Sequence, residues 1–369
     1  MMDAVGRTRD ILVVGGYGQV GQEVVRILAP AFPGRVVVAG RSRAKAESLA
    51  RRTGEGTRAR ALDVTAPEAV AHLDGVSLVV MCLDQQASSF VEHCLRSGLD
   101  YVDVTASEAS LSAFERLAPV AAQAGSTAVL SVGVAPGLTQ VLAARATSRL
   151  DTVDQLDLFV LLGGGDIHGA AAIEWTLENL SAPFDVYRQG QLHRVHGFHE
   201  ATWVHFPGEA RPRRAWRFNF PDQRTVARTL SVPTVSTWLC FDPPGLGCLA
   251  ALAVRLGMGR LLRWPPLRRA ATWLALRVHA GSDVCSVLAK ARGHSAGMPA
   301  TRVATLQGRR EAMLTGRVAA EVARELLTGH APGRGVLHLE QFVDSESFLR
   351  RIAAAVPDAR YVAHDDVCR

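Results

Sequence analysis

The stretch that decides the fold is ILVVGGYGQVG, residues 11–21. It begins with a short apolar run, which is typical of a strand buried on both faces. A G-x-G-x-x-G pattern follows at Gly16, Gly18 and Gly21, and apolar residues then recur at helical spacing up to Leu28. A strand, a glycine-rich turn and a helix in this order predict a dinucleotide-binding βα unit.

Each glycine of this turn has a physical role in such a site. Gly16 permits the tight turn, Gly18 lets the backbone approach a pyrophosphate, and Gly21 allows the helix to pack closely on the strand. The unpaired N–H groups and the dipole of the helix N-terminus favour an anion. The predicted cofactor-binding residues of the turn are Gly16, Tyr17, Gly18, Gln19, Val20 and Gly21. The alternative is a glycine-rich turn without a ligand.

The end of the second apolar run, at 35–39, indicates which dinucleotide binds. An NAD site places an acidic residue there, whereas this chain has Gly40, Arg41, Ser42 and Arg43. A guanidinium binds a 2′-phosphate in bidentate fashion, and a carboxylate repels it. NADP is therefore the predicted cofactor, although the two arginines have the alternative of being ordinary solvated residues.

The third apolar run closes with Asp63 and Val64. Asp63 has two interpretations, contact with the adenine edge or a helix cap before Pro67. Both residues are included in the predicted cofactor site.

Strands and helices alternate over the first 137 residues. Apolar runs at 59–64, 76–83, 101–105 and 127–132 are separated by helical patterns. This alternation predicts an α/β fold, a Rossmann-type doubly wound parallel sheet with helices on both faces. The domain is expected to end near Pro136-Gly137, which is a turn signal.

The pattern changes after residue 138. Longer strand patterns, at 156–162, 191–206, 215–220 and 284–292, predict a second, α+β domain with a mostly antiparallel sheet. Helical patterns follow at 316–327 and 348–355. We expect an NADP-binding Rossmann domain at 1–137, an α+β substrate and dimerisation domain at 138–315, and C-terminal helices at 316–369 that pack back on the first domain.

Composition excludes several classes of protein. Hydrophobic residues make up 48% and charged residues 21% of the 369 residues, which is ordinary for globular domains. The formal net charge of +6 comes almost entirely from arginine, without a like-charge tail or a basic stripe with interleaved aromatics, so no nucleic-acid partner is expected. The cysteines form no C-x-x-C pair and the N-terminus lacks an apolar signal region, which predicts a cytoplasmic protein with free thiols.

The scarcity of lysine excludes two mechanisms. Lys45 and Lys290 are the only lysines, and the residues four positions earlier are Arg41 and Ser286, so no Tyr-x-x-x-Lys unit exists. No lysine lies between them for a Schiff base. The G-x-S-x-G nucleophile motif is also absent.

Four histidines cluster at His193, His196, His199 and His205. Metal binding is one interpretation. Alternation along a strand would place His196 on the opposite face from the other three, so no metal site is predicted.

An apolar segment at 246–278 is interrupted by arginines and by Pro265-Pro266. Its two apolar runs, at 246–256 and 270–278, are both much shorter than the roughly 20 residues needed to span a bilayer. Two amphipathic helices and no transmembrane segment are therefore predicted. Packing against the protein's own core is the favoured interpretation. Contact with a membrane surface or a lipophilic substrate is the alternative.

The chain resembles the saccharopine dehydrogenase-like family over roughly residues 9–145. The motifs that carry the resemblance are the glycine-rich stretch, AGRS at 39–42, ALDV at 61–64, CLRSGLDYVDVT at 94–105 and GVAPGL at 133–138. The resemblance implies an NADP-dependent oxidoreductase with its substrate cleft between the Rossmann domain and an α+β domain. Known relatives reduce imines or act as enoyl reductases.

The resemblance also extends the candidate site. Cys82 and Leu83, after the fourth strand, look like the segment beside the nicotinamide ribose, and Thr105 lies at a strand end on the ligand side. Asp103 and Tyr101 are the candidate catalytic residues, with strand-end capping and core packing as alternatives. The candidate substrate residues are Pro136, His168 and Glu174.

Two departures from the family pattern bear on the substrate. Ala135 replaces the acid of an Asp-Pro-Gly turn, and the middle domain is rich in tryptophan, leucine and arginine. They indicate a fairly large or apolar intermediate rather than a small charged amino acid. The predicted function is NADP(H)-dependent reduction of a C=N, C=C or C=O bond, by a homodimer acting on a small molecule. The alternative is a non-redox protein that keeps NADP as a scaffold or sensor.

Overall fold

A computed structural model describes residues 9–85, 87–166, 169–262, 264–277 and 280–364. Its first part alternates between strand and helix. The strands are β1 (Asp10–Val14), β2 (Val36–Gly40), β3 (Arg58–Ala61), β4 (Val76–Met81), β5 (Asp100–Asp103) and β6 (Thr127–Leu130). The helices are α1 (Gln19–Ala31), α2 (Arg43–Thr53), α3 (Ser89–Arg96), α4 (Glu108–Glu115), α5 (Ala118–Ala124) and α6 (Thr139–Thr147), with a 3-10 helix at Pro67–Leu73.

The remainder of the chain is richer in long strands. The middle strands are β7 (Thr152–Gly163), β8 (Pro183–Arg188), β9 (Gln191–His196), β10 (Ala201–Val204), β11 (Arg213–Arg217), β12 (Val235–Asp242), β13 (Val284–Ser295) and β14 (Met298–Arg309). The middle helices are α7 (Ala170–Asn179), α8 (Asp222–Thr229), α9 (Gly245–Arg255), α10 (Met258–Leu261) and α11 (Pro265–Ala275). The last elements are α12 (Glu311–Leu327), β15 (Gly335–His338), α13 (Leu339–Phe342), α14 (Ser345–Ala355) and β16 (Arg360–His364).

The first unit contains the residues up to 137 together with 313–342. Its seven strands are all parallel, in the order β15-β6-β5-β4-β1-β2-β3. The interior strand β1 is apolar and buried on both faces from Ile11 to Val14, as a strand covered by helices must be. The strand order reverses between β1 and β4, which is where sheets of this kind bind their ligands. The predicted Rossmann-type parallel sheet is confirmed.

Two C-terminal elements belong to this first unit. β15 pairs in parallel with β6, with Gly335 opposite Thr127. In α12, a Cβ on Gly316 would lie 2.7 Å from the Val20 carbonyl oxygen of α1, so the two helices touch. The segment predicted as one C-terminal element at 316–369 is therefore divided: α12, β15 and α13 join the first unit, and α14 and β16 join the second.

The second unit contains residues 138–312 and the residues from 343 onward. Its sheet has the order β10-β11-β12-β7-β13-β14-β16, and only the β12–β7 pair is parallel. Its core is aromatic and aliphatic, with Phe159, Phe206 and Trp238 buried together. The predicted α+β unit with a mostly antiparallel sheet is confirmed.

One predicted strand of this unit is two strands. The pattern at 191–206 gives β9 and β10, separated by a turn in which Phe198 has φ of 58°. Gly197 lies so close to α7 that a Cβ there would be 2.5 Å from the Leu180 carbonyl oxygen. Because the turn breaks the alternation, the four histidines do not share one continuous strand.

In the parts of the chain just described, no helix is long and apolar enough to cross a bilayer.

Candidate functional site

The glycine-rich turn follows β1 at the carboxyl edge of the parallel sheet. Gly15 has φ of 73°, and the Gly18 N–H donates to the Gly15 carbonyl oxygen at 2.9 Å, which closes the turn. A Cβ on Gly21 would overlap that same oxygen and would lie 2.6 Å from the Cα of Gly16. Glycine at position 21 therefore lets α1 approach the turn as closely as the sequence predicts.

The N-terminus of α1 is prepared for an anion. Its cap residue is Gly18, which offers no side-chain acceptor, and the first turn holds no acidic residue. The first-turn N–H groups therefore keep their hydrogen-bonding capacity and the positive end of the helix dipole. A pyrophosphate fits this arrangement because it supplies acceptors and negative charge together.

Tyr17 joins the glycine-rich turn to the end of β2. Its ring lies on Gly40, where a Cβ would be 2.6 Å from the ring edge. Its hydroxyl oxygen accepts a hydrogen bond from the Ser42 N–H at 3.1 Å. The tyrosine thus fixes the loop that carries Arg41, a role that the sequence pattern does not reveal.

The two arginines of this loop differ in their surroundings. Arg43 pairs with Glu47 on the surface of α2 at 2.8 Å. Arg41 is exposed and forms no ion pair with any residue that the structure describes. Between them, the Ser42 hydroxyl caps α2 by accepting from the Lys45 N–H at 3.4 Å. Arg41 is therefore the guanidinium available for a 2′-phosphate.

Asp63 lies near Arg41 at the end of the neighbouring strand. Its carboxylate accepts from the Thr65 hydroxyl at 2.7 Å and from the Thr65 N–H at 3.0 Å. The hydroxyl bond above all, then the backbone bond and the charge of Arg41, lower the pKa of Asp63. Asp63 closes a turn ahead of the 3-10 helix, whose cap residue is Ala66, and Val64 is half-buried beside it.

The loop after β4 lies against the glycine-rich turn. The Cys82 N–H donates to the Val14 carbonyl oxygen at 2.9 Å. The Leu83 side chain covers Gly15, where a Cβ would be 2.7 Å from a leucine methyl carbon. Burial raises the pKa of the Cys82 thiol to about 12, so this cysteine stays protonated at neutral pH. The predicted neighbours of the dinucleotide are thus brought together.

The candidate catalytic residues Asp103 and Tyr101 form a buried polar cluster. Both side chains have an exposure of 0%. The Tyr101 hydroxyl donates to Asp103 at 2.9 Å and accepts from the Gln85 amide at 2.5 Å. The Thr105 N–H donates to Asp103 at 2.7 Å, and the Thr105 hydroxyl donates to Asp84. The cluster ties the end of β5 to the loop after β4.

The ionisation of this cluster is strongly perturbed. Burial raises the pKa of Asp103 to about 7, against the lowering effect of its hydrogen bonds from Thr105 and Tyr101. Burial, and then the charge of Asp103, raise the pKa of Tyr101 well above its usual value. A carboxyl that titrates near neutrality suits proton transfer. Its complete burial equally suits the alternatives of capping and packing.

A second buried network was not predicted. The Ser131 hydroxyl lies 2.9 Å from His338 Nδ1, and His338 Nε2 lies 2.9 Å from Glu115. Ser131 follows β6 with φ of 58°, and His338 ends β15. The residues are more than 200 positions apart in the pairs that involve His338, so no local spacing could reveal them.

Replacing His338 with alanine is expected to destabilise the first unit by about 1–3 kcal/mol, because the buried Ser131 hydroxyl loses its hydrogen-bond partner. Chemical denaturation followed by circular dichroism measures the change. His330→Ala removes an exposed histidine and is expected to have a much smaller effect. Equal stability of the two variants would contradict a structural role for the network.

The candidate substrate residues lie in different parts of the chain. Pro136 belongs to the first unit, in the turn that precedes Gly137, whose φ is 136°. Glu174 belongs to α7 of the second unit and accepts from Arg268 of α11 at 3.1 Å. His168 lies outside the described residues.

The histidine cluster forms no metal centre in the portion of the chain that the structure describes, where no group of three or more histidine, cysteine or acidic side chains is suitably placed. His196 and His199 instead lie with their ring centroids 5.3 Å apart.

Comparisons with known proteins agree with this geometry. Residues 11–129 match the family model described as the saccharopine dehydrogenase NADP binding domain. Apo histidine-tagged saccharopine dehydrogenase (L-Glu forming) from Saccharomyces cerevisiae has a similar structure, with a TM-score of 0.67 and 17% identity, over 96% of this chain and 100% of that chain. At this identity the match concerns the fold.

Two further structures are more distant. An engineered D-amino acid dehydrogenase bound to NADP+ gives a TM-score of 0.45 with 12% identity over 93% of this chain and 96% of that one. The DAP dehydrogenase of C. glutamicum in complex with DAP gives 0.43 with 12% identity over 93% and 95%. Among curated proteins, none matches the sequence.

The family model covers the glycine-rich turn, the β2 end and the β4–β5 loops, and the fold match extends over both units. The resemblance inferred from the sequence and the choice of NADP are confirmed. Residues 11–129 are similar to the saccharopine dehydrogenase NADP binding domain, and the chain as a whole has the fold of saccharopine dehydrogenase.

Proposed function

We propose that the protein is an NADP(H)-dependent oxidoreductase that reduces a C=N, C=C or C=O bond of a fairly large or apolar biosynthetic intermediate. The observation that carries this proposal is the pairing of an uncapped α1 N-terminus with the exposed Arg41 at the end of β2. The bound cofactor supplies the hydride.

The side chains around the turn have distinct proposed tasks. The α1 N-terminus binds the pyrophosphate, and the Arg41 guanidinium binds the 2′-phosphate. Tyr17 holds the Arg41 loop in place through Ser42. Leu83 covers the turn beside the nicotinamide ribose, where it excludes water.

An apolar substrate is supported by the second unit. Trp175 follows Glu174 on α7, and its ring lies 5.5 Å from Phe218 and 5.6 Å from Phe220 between centroids. The Glu174 carboxylate is engaged by Arg268. Phe218 and Phe220 are buried, so these rings form an aromatic core beside a carboxylate whose charge Arg268 balances, which favours an apolar group over a small charged one. Pro136, His168 and Glu174 remain the proposed substrate residues.

Asp103 and Tyr101 are the residues proposed to supply the proton. Asp103 carries a proton for about half of the time near pH 7, because burial raises its pKa to that value. Tyr101 orients it through their shared hydrogen bond. Thr105 extends the cluster from the core to the exposed Asp84, since its N–H donates to Asp103 and its hydroxyl donates to Asp84.

The complete burial of Asp103 and Tyr101 also favours a second candidate function. A non-redox protein would keep NADP as a scaffold or sensor and would need no exposed acid. Binding of NADPH without turnover of any substrate class would support it. In either case we propose a homodimer acting in the cytoplasm.

Arg41→Asp is expected to weaken NADPH binding by about 10- to 100-fold, because a charge-assisted pair is lost and a carboxylate faces the 2′-phosphate. NADH binding should change little. Isothermal titration calorimetry with both dinucleotides measures the difference. Arg52→Asp, on the exposed surface of α2, is the matched control and should leave both affinities unchanged.

Two outcomes would contradict the proposal. Equal weakening by Arg41→Asp and Arg52→Asp would mean that Arg41 acts only through general charge. Binding of neither dinucleotide by the natural sequence would reject the oxidoreductase. Once binding is established, anaerobic NADPH consumption with panels of imines, enones and ketones identifies the bond reduced.

A further inference from the structure

The exposed apolar side chains of this protein are concentrated in one segment. Fourteen large hydrophobic residues are exposed among those described, and ten of them lie between residues 249 and 276. Contiguous apolar surface is uncommon on monomeric proteins and marks a site of contact, and the concentration of these side chains in one segment favours such a site. The favoured sequence interpretation, packing on the protein's own core, therefore accounts for only one side of this segment.

Helix α9 has one buried face and one exposed apolar face. Gly247, Ala251 and Val254 are buried, and Gly247 lies against Trp216 of β11, where a Cβ would be 3.0 Å from the indole nitrogen. Its other face carries Leu249 and Leu252, which are 64% and 53% exposed, and the row continues to Leu256. A spacing of three and four residues places these leucines on one stripe.

Helix α11 presents a second apolar face. Arg268 fixes the helix to α7 by pairing with Glu174 and Glu178, each at 3.1 Å. Thr272, one turn later, is buried on the same side. Trp273 and Leu274 are 57% and 56% exposed, so the helix is anchored on one side and apolar on the other.

All the acidic and basic side chains of this segment are basic, so its charge is positive throughout. Residues 243–282 contain six arginines and neither aspartate nor glutamate. Arg255, Arg269 and Arg277 are exposed, and the Arg277 guanidinium lies 3.8 Å from the centre of the Trp273 ring. Arginine beside exposed tryptophan and leucine is the composition of helices that lie in a membrane interface.

We propose that α9, α10 and α11 together form a surface that binds a lipid bilayer carrying anionic headgroups. We call it the α9–α11 surface, and it comprises the exposed side chains that the structure describes within residues 249–262 and 264–277. Its leucines and tryptophans enter the boundary between headgroups and acyl chains. Its arginines bind the lipid phosphates around them.

The one-sided charge favours a bilayer over a second copy of the chain. A symmetric dimer would place the same surface against itself. The exposed Arg255, Arg269 and Arg277 of each copy would then meet, and residues 243–282 contain no carboxylate to pair with them. Like charges brought together at an interface are strongly unfavourable, whereas anionic lipids complement them.

This inference goes beyond the proposed reaction and stands on the second unit alone. The residues proposed to bind NADP belong to the first unit. Vesicle binding and NADPH binding can therefore fail independently of each other, and each measurement tests one proposal.

The experiment is co-sedimentation of the full chain with vesicles of phosphatidylcholine, with and without phosphatidylglycerol. We expect binding to the anionic vesicles that weakens as salt is added, and little binding to phosphatidylcholine alone. Leu252→Glu/Leu256→Glu is expected to reduce binding by about tenfold or more, because two apolar side chains no longer enter the bilayer. Arg255→Gln/Arg269→Gln should lower the affinity by about fivefold for each arginine.

Leu192→Glu/Trp203→Glu is the matched control, since both residues are as exposed as the leucines but lie on β9 and β10. It should bind vesicles normally. Trp264→Phe/Trp273→Phe, which preserves an apolar surface, should keep binding while losing the blue shift of tryptophan emission on anionic vesicles. This second pair keeps the proposal testable if the glutamate variant fails to fold.

Three results would overturn the proposal. One is the absence of binding to anionic vesicles by the natural sequence. Another is equal loss of binding in the β9–β10 control. The third is a concentration-dependent dimer, measured by sedimentation velocity without lipid, that the Leu252→Glu/Leu256→Glu variant disperses. That last result would assign the surface to a second copy.

Discussion

Gly21→Ala is expected to weaken NADPH binding by at least about 100-fold, because the pyrophosphate loses several hydrogen bonds from displaced N–H groups. The new Cβ would overlap the Gly15 carbonyl oxygen and press on the Cα of Gly16. Both neighbours are backbone, so neither can rotate away as a side chain would. Helix α1 has to move away from β1, and its N-terminus leaves the position where the phosphates bind. The strain should also destabilise the first unit by about 1–3 kcal/mol.

Calorimetric titration with NADPH measures the first effect, and tryptophan emission shows whether the second unit remains folded. That emission reports on the second unit because it holds every tryptophan, namely Trp175, Trp203, Trp216, Trp238, Trp264 and Trp273. Gly333→Ala is the control, since a Cβ at this position meets no atom within 4 Å. NADPH affinity within about threefold of the natural sequence for Gly21→Ala would refute the role given to this glycine.

Asp103→Asn is expected to change how the stability of the first unit depends on pH. The pKa of this carboxyl is raised from its ordinary 3.8 to about 7 in the folded chain. Its contribution to stability is therefore complete below about pH 4 and is lost as the pH rises to about 7. The loss amounts to about 4 kcal/mol, since each pKa unit corresponds to about 1.4 kcal/mol. Asparagine does not titrate, so the variant should lack this decline.

Hydrogen–deuterium exchange of peptides from β4 and β5, corrected for the intrinsic pH dependence of exchange, follows the first unit specifically. The stability of Asp103→Asn relative to the natural sequence should increase between pH 5 and pH 7, and level off above that. Asp74→Asn, an exposed aspartate of the same unit, is the control. Parallel pH profiles for Asp103→Asn and the natural sequence would show that the buried carboxyl does not titrate in this range.

Sequence patterns among neighbouring residues were enough to predict most of the first unit. β1, the glycine-rich turn and α1 are adjacent in sequence, and the apolar run, the glycines and the helical spacing all indicate the same structure. Arg41 was found for the same reason, since it follows β2 directly. β15 was not predicted, because GVLH is a four-residue run in a glycine-rich loop and gains its partner β6 only through tertiary pairing.

The interior of the candidate site was harder to predict. Asp103 and Tyr101 were selected as the end of a strand, but their complete burial depends on Gln85 and Thr105 from outside that strand. The Ser131–His338–Glu115 network joins residues from distant parts of the chain. Sequence periodicity places a residue on a face, and it does not show which distant group will meet it.

The parallel pairing of β15 with β6 sets an order of events during protein synthesis. A ribosome releases the first six strands of this sheet long before residues 335–338 emerge. Until then β6 is an uncovered edge, with free N–H and C=O groups that attract other strands. A nascent chain of this protein is therefore expected to need a chaperone that shields β6 until β15 has been synthesised. A fragment that ends near residue 137 should aggregate when it is expressed alone.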